Sequence, residues 1–417
     1  MKVCFITLGC KVNEYETMSM YTQLKKAGFK VTTELEPADY YVMNTCAVTK
    51  MAERKSRQFI AKILKLNENA KIVVCGCAGQ NNPEQFYKYP NVVSVIGNQG
   101  KNKIVEFLKK EYKESLPELS KEYDSFAYAS KVKARQYVKI QDGCNNFCSY
   151  CVIPYTRGRS RSRDMQDILL EIKKSKAKEI VITGINVSDY RVNGELALID
   201  LLEEIDKLNV RFRLSSLECV VMLDDVFLYR LSKLKNFCPF FHLSMQTACN
   251  ATLKRMNRHY TIEQYIEICN KIKKLFPTAC ISTDVIVGFK GETDKEFETT
   301  MKNIEKTPFS FLHIFPYSVR KGTNAEKLTG DVSAEVIKQR EKVVASHNKI
   351  IKQKFIEENI GQTHKVLIEE YKDGYSCGYT ENYIYCYIPR KIKEGKIVVV
   401  QGVEPYKDGM IAKINKN

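Results

Sequence analysis

Two long stretches of this chain alternate short apolar runs with amphipathic ones, and that pattern restricts it to layered α/β architecture. In the first stretch VCFITL, YYVMNT, KIVVCG and VVSVIG read as buried strands, and Asn13 to Ala27 as a helix ended by Gly28. Strands separated by helices favour a parallel sheet. The second stretch runs from about Lys133 to Ile350, with strands RQYVKIQ, EIVITGI, FRLSSL, FHLSMQ, ISTDVIVGF and FLHIFPYS. Most are followed by a helical segment such as Asp167 to Ala177. Six βα units predict an open or partial barrel rather than a closed eight-fold one. Both architectures place ligand sites at the carboxyl ends of the strands.

A chain of 417 residues predicts two or three domains. Lys101 to about Ala129 is charged and reads as a helix and a linker. The last 60 or so residues change character: HKVLIEEY, GYSCGYT, YIYCYIP, KIVVV and GMIAKI are short strands between turn residues, which predicts a small β-barrel. The expected parts are residues 1–112, 130–352 and 355–417. With 44% hydrophobic and 28% charged residues, wholesale disorder is excluded. No apolar run approaches the roughly 20 residues needed to cross a bilayer, and the start lacks a signal-peptide pattern. A cytoplasmic protein with no membrane association is expected.

Fifteen cysteines then need a reason other than disulfides, since the expected compartment is reducing and the number odd. Cys219, Cys238, Cys249, Cys269 and Cys280 are scattered and read as packing residues. CNNFCSYC is different: Cys144, Cys148 and Cys151 follow the strand RQYVKIQ and Gly143 on one short loop. Three thiolates can ligate three irons of a 4Fe–4S cube and leave the fourth open, unlike the four-cysteine coordination of an electron carrier. An open iron can chelate the amino and carboxylate groups of S-adenosylmethionine (SAM). Zinc is the alternative, but it usually needs a fourth Cys or His nearby, and none follows before Arg163. Cys10, Cys46, Cys75 and Cys77 lie at strand ends of the first stretch, where distant residues can meet. Cys75 is still within its strand, and Cys4 lies inside the first.

The loop, with Tyr150 before its last cysteine, resembles the radical-SAM superfamily signature. That resemblance implies a contact between Tyr150 and the adenine of SAM. LGCKVNEYE, NTCAVT and CGCAGQ resemble the N-terminal domain of the methylthiotransferase family, which implies a second 4Fe–4S cluster on Cys10, Cys46 and Cys77. CVIPYTRGRSRSR, TGINVSDY, RLSSLE, HLSMQTACNATLKRMNRHYT, TDVIVGFKGET and HIFPYSVRKGT continue the likeness over essentially the whole chain, and the final barrel resembles a TRAM domain, an RNA-binding module. RLSSLE and GRSRSR are most similar to the type that modifies N6-threonylcarbamoyladenosine in the anticodon-loop region of tRNA, at position 37. Lys290 in FKGE and Cys219 after the glutamate depart from the usual pattern. The resemblance implies two SAM molecules, one donating a methyl group to sulfur and one supplying a radical that activates C2. It also implies a reductant such as flavodoxin or ferredoxin. An isopentenyl-adenosine tRNA or an aspartate of a ribosomal protein is the alternative substrate. A non-catalytic iron–sulfur RNA-binding protein is the alternative of another class.

Thr183 and Gly184 end a strand where the superfamily contacts the SAM methionyl amine. Ser215, Ser216 and Glu218 end another, Gln246 a third, and Asp284 with Gly288 a fourth; strand-end capping is the alternative for each. His242 and His313 lie within strands and read as core histidines. No side chain is assigned as catalytic, because the cofactor carries the difficult step. The net charge of +17 predicts an acidic partner, nucleic acid first. Charge peaks from Lys131 and Lys133 to Arg163, against the single acid Asp142. Arg157, Arg159, Arg161 and Arg163 alternate, so in an extended segment they would share one face suited to phosphates. Tyr383, Tyr385 and Tyr387 alternate too, either as an RNA-stacking face or as barrel core.

Overall fold

The computed structural model describes residues 1–47, 50–110, 116, 118–129, 134–218 and 223–415. Cys219, Lys131 and Lys133 lie outside the described residues. The chain opens with β1 (Lys2–Thr7), α1 (Lys11–Lys26), β2 (Lys30–Thr32), β3 (Tyr40–Thr45), α2 (Lys50–Leu66) and β4 (Lys71–Gly76). The short helices α3 (Cys77–Asn81) and α4 (Glu84–Tyr87), β5 (Val92–Ile96) and α5 (Ile104–Lys110) complete this part. Its sheet is parallel throughout, in the order β2-β1-β3-β4-β5. Phe5, Val42 and Val73 pack one face against Met20 and Leu24 of α1 and Phe107 of α5. Tyr41, Met43 and Val74 pack the other against Ile60 and Ile63 of α2. Burial on both faces is why these strands read as unbroken apolar runs. The three-residue β2 is too short to carry a pattern, and the sequence did not reveal it.

The second part contains β6 (Arg135–Asp142), α6 (Ile153–Arg157), β7 (Arg161–Ser162), α7 (Met165–Lys174) and β8 (Glu179–Gly184). A small hairpin of β9 (Arg191–Val192) and β10 (Glu195–Leu196) precedes α8 (Leu198–Asp206), β11 (Arg211–Leu214), β12 (Ser216–Leu217) and α9 (Asp225–Ser232). Then come β13 (Phe240–Leu243), α10 (Asn250–Arg255), α11 (Ile262–Leu275), β14 (Cys280–Val287), α12 (Asp294–Lys306) and β15 (Phe311–Pro316). FRLSSL forms two strands, because it breaks at Ser215 as the chain passes from one sheet to the next. Strands β11, β8 and β6 pair in parallel, as do β12 to β15. An isolated parallel bridge pairs Phe212 of β11 with Phe237, three residues before β13. Among the described residues no pairing closes β15 on β6, so the barrel is partial, as its six units predict. Capping boxes at Thr261/Gln264 and Thr293/Glu296 start α11 and α12. The departing Lys290 is buried and pairs with Asp331.

Helix α13 (Ala334–Glu357) leads to a closed barrel of β16 (Thr363–Lys372), β17 (Tyr375–Tyr379), β18 (Tyr385–Ile388), β19 (Ile397–Tyr406) and β20 (Gly409–Ile414). Ile384, Cys386 and Ile388 fill its core, so Tyr385 and Tyr387 point the other way, while Tyr383 packs against the core. On the outer face Tyr385 lies 4.9 Å from Tyr379 and 5.0 Å from Tyr387, and Tyr387 5.0 Å from Tyr406. Tyr383, just before β18, stacks on Phe240 at 4.3 Å. Arg211 donates to the Lys365 carbonyl (2.7 Å) and Arg213 to that of Thr380 (3.1 Å). The small barrel therefore seals the amino-terminal end of the partial barrel, opposite the strand ends that carry ligand sites. Among the described residues no helix is long and apolar enough to cross a membrane.

Candidate functional site

The loop after β6 is shaped by its glycine. Gly143 has φ of +74°, and a Cβ built on it would lie 2.0 Å from the Arg159 carbonyl. The Cys144 N–H donates to the Gly158 carbonyl (3.1 Å), and the Cys151 N–H to that of Cys148 (3.0 Å). The Gln141 amide ties the loop to the end of β8, donating to the Gly143 carbonyl (2.7 Å) and accepting from the Asn186 N–H (2.8 Å). The three thiols face one another closely enough to interact. Burial, then the neighbouring sulfurs, pushes Cys151 up to about 12; burial is also the main cause that raises Cys144 to about 11. The Asn146 N–H points at the Cys144 sulfur (3.5 Å) and the Arg258 guanidinium at that of Cys148 (3.2 Å).

A cavity of about 250 Å³ opens beside this loop, lined by Asn145, Cys148, Asn186, Ser188, Glu218 and Arg258 among others. Of the expected SAM contacts only Glu218 lines it, paired with Arg258. Thr183 and Ser215 are buried at the ends of β8 and β11, and the Ser215 hydroxyl has no partner among the described residues. Gly184 ends β8. Gln246 adopts φ of +74°, and its N–H donates to the Asp284 carbonyl (2.9 Å). The Asp284 carboxylate is 3.4 Å from His242, whose other ring nitrogen is 3.0 Å from the Ser282 hydroxyl. His242 is buried and satisfied, whereas His313 is exposed on the edge strand β15, so it is not a core residue. Tyr150 packs edge-on against Phe289 at 6.4 Å. Arg258, Asn186 and Ser188 were not singled out from sequence. They lie in the stretches NRHYT and TGINVSDY, where no spacing marks them.

The other strand ends converge in the first part. Cys10 caps α1, Cys46 follows β3 and Cys77 begins α3. Gly9 has φ of +103°, and a Cβ there would lie 2.9 Å from the Cys46 sulfur, so Cys46 sits directly against the Cys10 turn. The Cys10 thiol is raised by burial, an effect offset by Arg157 and reinforced by Cys77. The Asn98 amide donates to the Cys77 sulfur at 3.4 Å. Cys10 also opens on a cavity of about 420 Å³ shared with Glu14, Arg135 and Tyr137. Cys75 faces the apolar layer beneath α1 and α5, where burial pushes it up to about 12. Cys4 is likewise core.

The arginines do not form a stripe. Arg157 ends α6 and Gly158 then turns at φ of +80°, so strand alternation does not apply there. Arg157, Arg161 and Arg163 are buried. Arg157 pairs with Glu16 (2.8 Å) and Asp142 (3.0 Å), and Arg163 with Glu171 (2.5 Å) and Asp167 (2.7 Å). Arg161 lies 3.5 Å from Asp142. Only Arg159 of the four is exposed, 4.4 Å over the Phe147 ring.

Among the described residues no three His, Cys, Asp or Glu side chains are placed to chelate a single metal ion. The donor set does suit iron–sulfur clusters: each group offers three thiols from neighbouring turns, and coordinated cations would deprotonate them. N–H and guanidinium donors aimed at sulfur are the contacts that tune such clusters.

Residues 138–304 match the radical SAM superfamily, and residues 2–97 match the uncharacterized protein family UPF0004. The threonylcarbamoyladenosine tRNA methylthiotransferase MtaB of Chlamydia pneumoniae is 37% identical over 88% of this chain and 86% of its own length. The tRNA-2-methylthio-N(6)-dimethylallyladenosine synthase of Helicobacter pylori (strain P12) is 34% identical over 100% of both chains. Among solved structures, the radical S-adenosylmethionine methyltransferase TsrM from Kitasatospora setae, with cobalamin and a [4Fe-4S] cluster bound, shares the fold. It matches at 13% identity with a TM-score of 0.55, over 76% of this chain and 74% of its own.

Proposed function

The chain belongs to the radical-SAM methylthiotransferase family, and from that membership we propose that it is a tRNA methylthiotransferase. In this reading it places a methylthio group on C2 of N6-threonylcarbamoyladenosine at position 37 of the anticodon loop. The observation that carries the proposal is the presence of two separate cysteine triads, one on the loop after β6 and one gathered from the carboxyl ends of β1, β3 and β4. Cys144, Cys148 and Cys151 would hold the radical-SAM cluster, and Cys10, Cys46 and Cys77 an auxiliary one. A cluster held by Cys144, Cys148 and Cys151, with SAM bound, would supply radical chemistry strong enough for an unactivated C–H bond.

The protein's own residues bind and orient. Arg258 braces Cys148 and holds Glu218 at the cavity wall. Glu218 is the SAM contact at the cavity wall in this reading, and Tyr150, Thr183, Gly184, Ser215, Gln246 and Asp284, which do not line that cavity, are the further contacts the family resemblance implies. Residues 1–112, 130–352 and 355–417 act as auxiliary-cluster, radical-SAM and RNA-binding parts. Arg159 and the outer tyrosines of the small barrel offer RNA a charge and stacking surfaces. A small redox protein such as flavodoxin or ferredoxin supplies the electron.

Mass spectrometry of tRNA nucleosides from cells lacking the protein tests the substrate. The 2-methylthio form of threonylcarbamoyladenosine should vanish and the isopentenyl counterpart persist; the reverse would refute the assignment. Anaerobic reconstitution should give about eight irons per chain for two 4Fe–4S clusters. A value near four would remove the auxiliary site.

A further inference from the structure

The six residues after Cys151 cross from one cysteine triad to the other. Helix α6 runs directly from the cluster loop and ends at Arg157, whose side chain is fully buried between the first part of the molecule and Asp142 of β6. One of its nitrogens donates to the Asn13 side-chain oxygen at 2.8 Å. The Asn13 amide in turn donates to the carbonyls of Leu8 (2.7 Å) and Thr45 (3.0 Å), which lie next to the turns bearing Cys10 and Cys46. Asn98 completes the cradle: its amide reaches the Thr156 carbonyl (2.8 Å) as well as the Cys77 sulfur (3.4 Å). Residues 156 and 157 thus touch, through two asparagines, the supports of all three thiols.

The charges around this cradle do not balance. Lys101 pairs with Glu16 (2.5 Å), Lys139 with Glu16 (2.7 Å) and Asp142 (2.7 Å), and Arg157 with both acids. With Arg161, four buried cations share two carboxylates. Asp124, half-buried, lies near enough to feel Lys139 and Arg161 but makes no ion pair with them among the described residues, and burial raises its carboxyl. The Arg157 and Arg161 Nε groups have no acceptor among the described residues. Buried charge without a counter-charge is costly, so the set calls for an anion beside it, which thiolates on Cys10, Cys46 and Cys77 would supply.

We propose that Arg157 is a positioning residue for the group held by Cys10, Cys46 and Cys77. It clamps the turns that carry the thiols, and its buried charge favours the reduced form of that group. The inference rests on the auxiliary cluster of the proposed function. A cation in a poorly screened interior stabilises added negative charge, so it makes a nearby cluster easier to reduce.

The test uses the full chain with Cys144, Cys148 and Cys151 all replaced by alanine, so that any iron reports the other triad. After anaerobic reconstitution, iron content and an EPR-monitored redox titration are recorded. Arg157→Gln should keep its iron and shift the equilibrium at least tenfold against reduction, 59 mV for one electron. Arg157→Lys should recover most of that shift, because it keeps the charge. Glu16→Gln removes a negative charge from the same network and should move the potential upward, which decides the matter if Arg157→Gln does not fold. An iron-loaded Arg157→Gln with an unchanged potential, or a Glu16→Gln that shifts downward or not at all, overturns the inference. Absence of iron from the parent triple variant refutes the auxiliary cluster itself.

Discussion

Replacing Glu179 by glutamine should loosen the small barrel from the core while leaving both cysteine sites in place. Glu179 is fully buried at the start of β8 and makes aligned hydrogen bonds with Arg213 (2.7 and 3.0 Å). Arg135 and Arg211 approach it at 2.8 and 2.6 Å without that alignment. The same arginines hold the barrel, Arg211 and Arg213 through its carbonyls and Arg135 through Glu369 at 2.5 Å. Burial alone would raise the Glu179 carboxyl, but Arg213, then Arg211 and Arg135, pull it down from 4.5 to about 2. That difference is worth roughly 3 kcal/mol at neutral pH. Because the folded value is depressed, the stabilisation is complete above about pH 4.5 and is lost as pH falls toward 2. Urea titration of anaerobic, cluster-free protein should show a cost of roughly 3 kcal/mol for Glu179→Gln at pH 7, in the range for breaking a buried pair. Hydrogen exchange should show lost protection in β16 and β17 first. A cost below about 1 kcal/mol, or a gap between the two proteins that does not narrow between pH 5 and 3, would refute the reasoning.

Gly143→Ala should abolish loading of the Cys144 site, since the new Cβ meets the Arg159 carbonyl at 2.0 Å; iron content in a Cys10, Cys46 and Cys77 triple-alanine background checks it. Arg258→Leu leaves Glu218 and the Cys148 sulfur without their cation. SAM affinity should fall at least tenfold, about 1.4 kcal/mol, measured by equilibrium binding to the reconstituted protein. Tyr387→Ala should weaken tRNA binding about tenfold, within the roughly 1–3 kcal/mol of a stacked base, with an unchanged melting temperature. Wild-type affinity would show that the outer aromatic face does not meet RNA.

What the sequence disclosed and what it hid follow from the range of the forces involved. The strands YYVMNT and KIVVCG, and the end of α1 at Gly28, were legible because burial and capping act over a few residues, whereas the helix begins two residues before the expected Asn13. The barrel tyrosines were ambiguous until Ile384, Cys386 and Ile388 proved to be the inner residues, since a period of two marks a face without saying which side is wet. The arginine stripe misled for a different reason. Arg157 is drawn inward by Glu16, 141 residues earlier, and no local pattern announces such a partner. Arg258 likewise acts on Cys148 from 110 residues away.

The charge network around Glu16 also bears on the order in which the protein is made. Of the two parts, the one made earlier contains Glu16 and Lys101, which pair with each other without the rest of the chain. The second part, alone, would leave Lys139, Arg157 and Arg161 beside Asp142 without the acid that covers them from the other side. It gains its missing acid only by closing on an already folded neighbour. Synthesis from the amino terminus therefore offers Glu16 before the cations of the second part that pair with it, and a circular permutant beginning at the core would reverse that order.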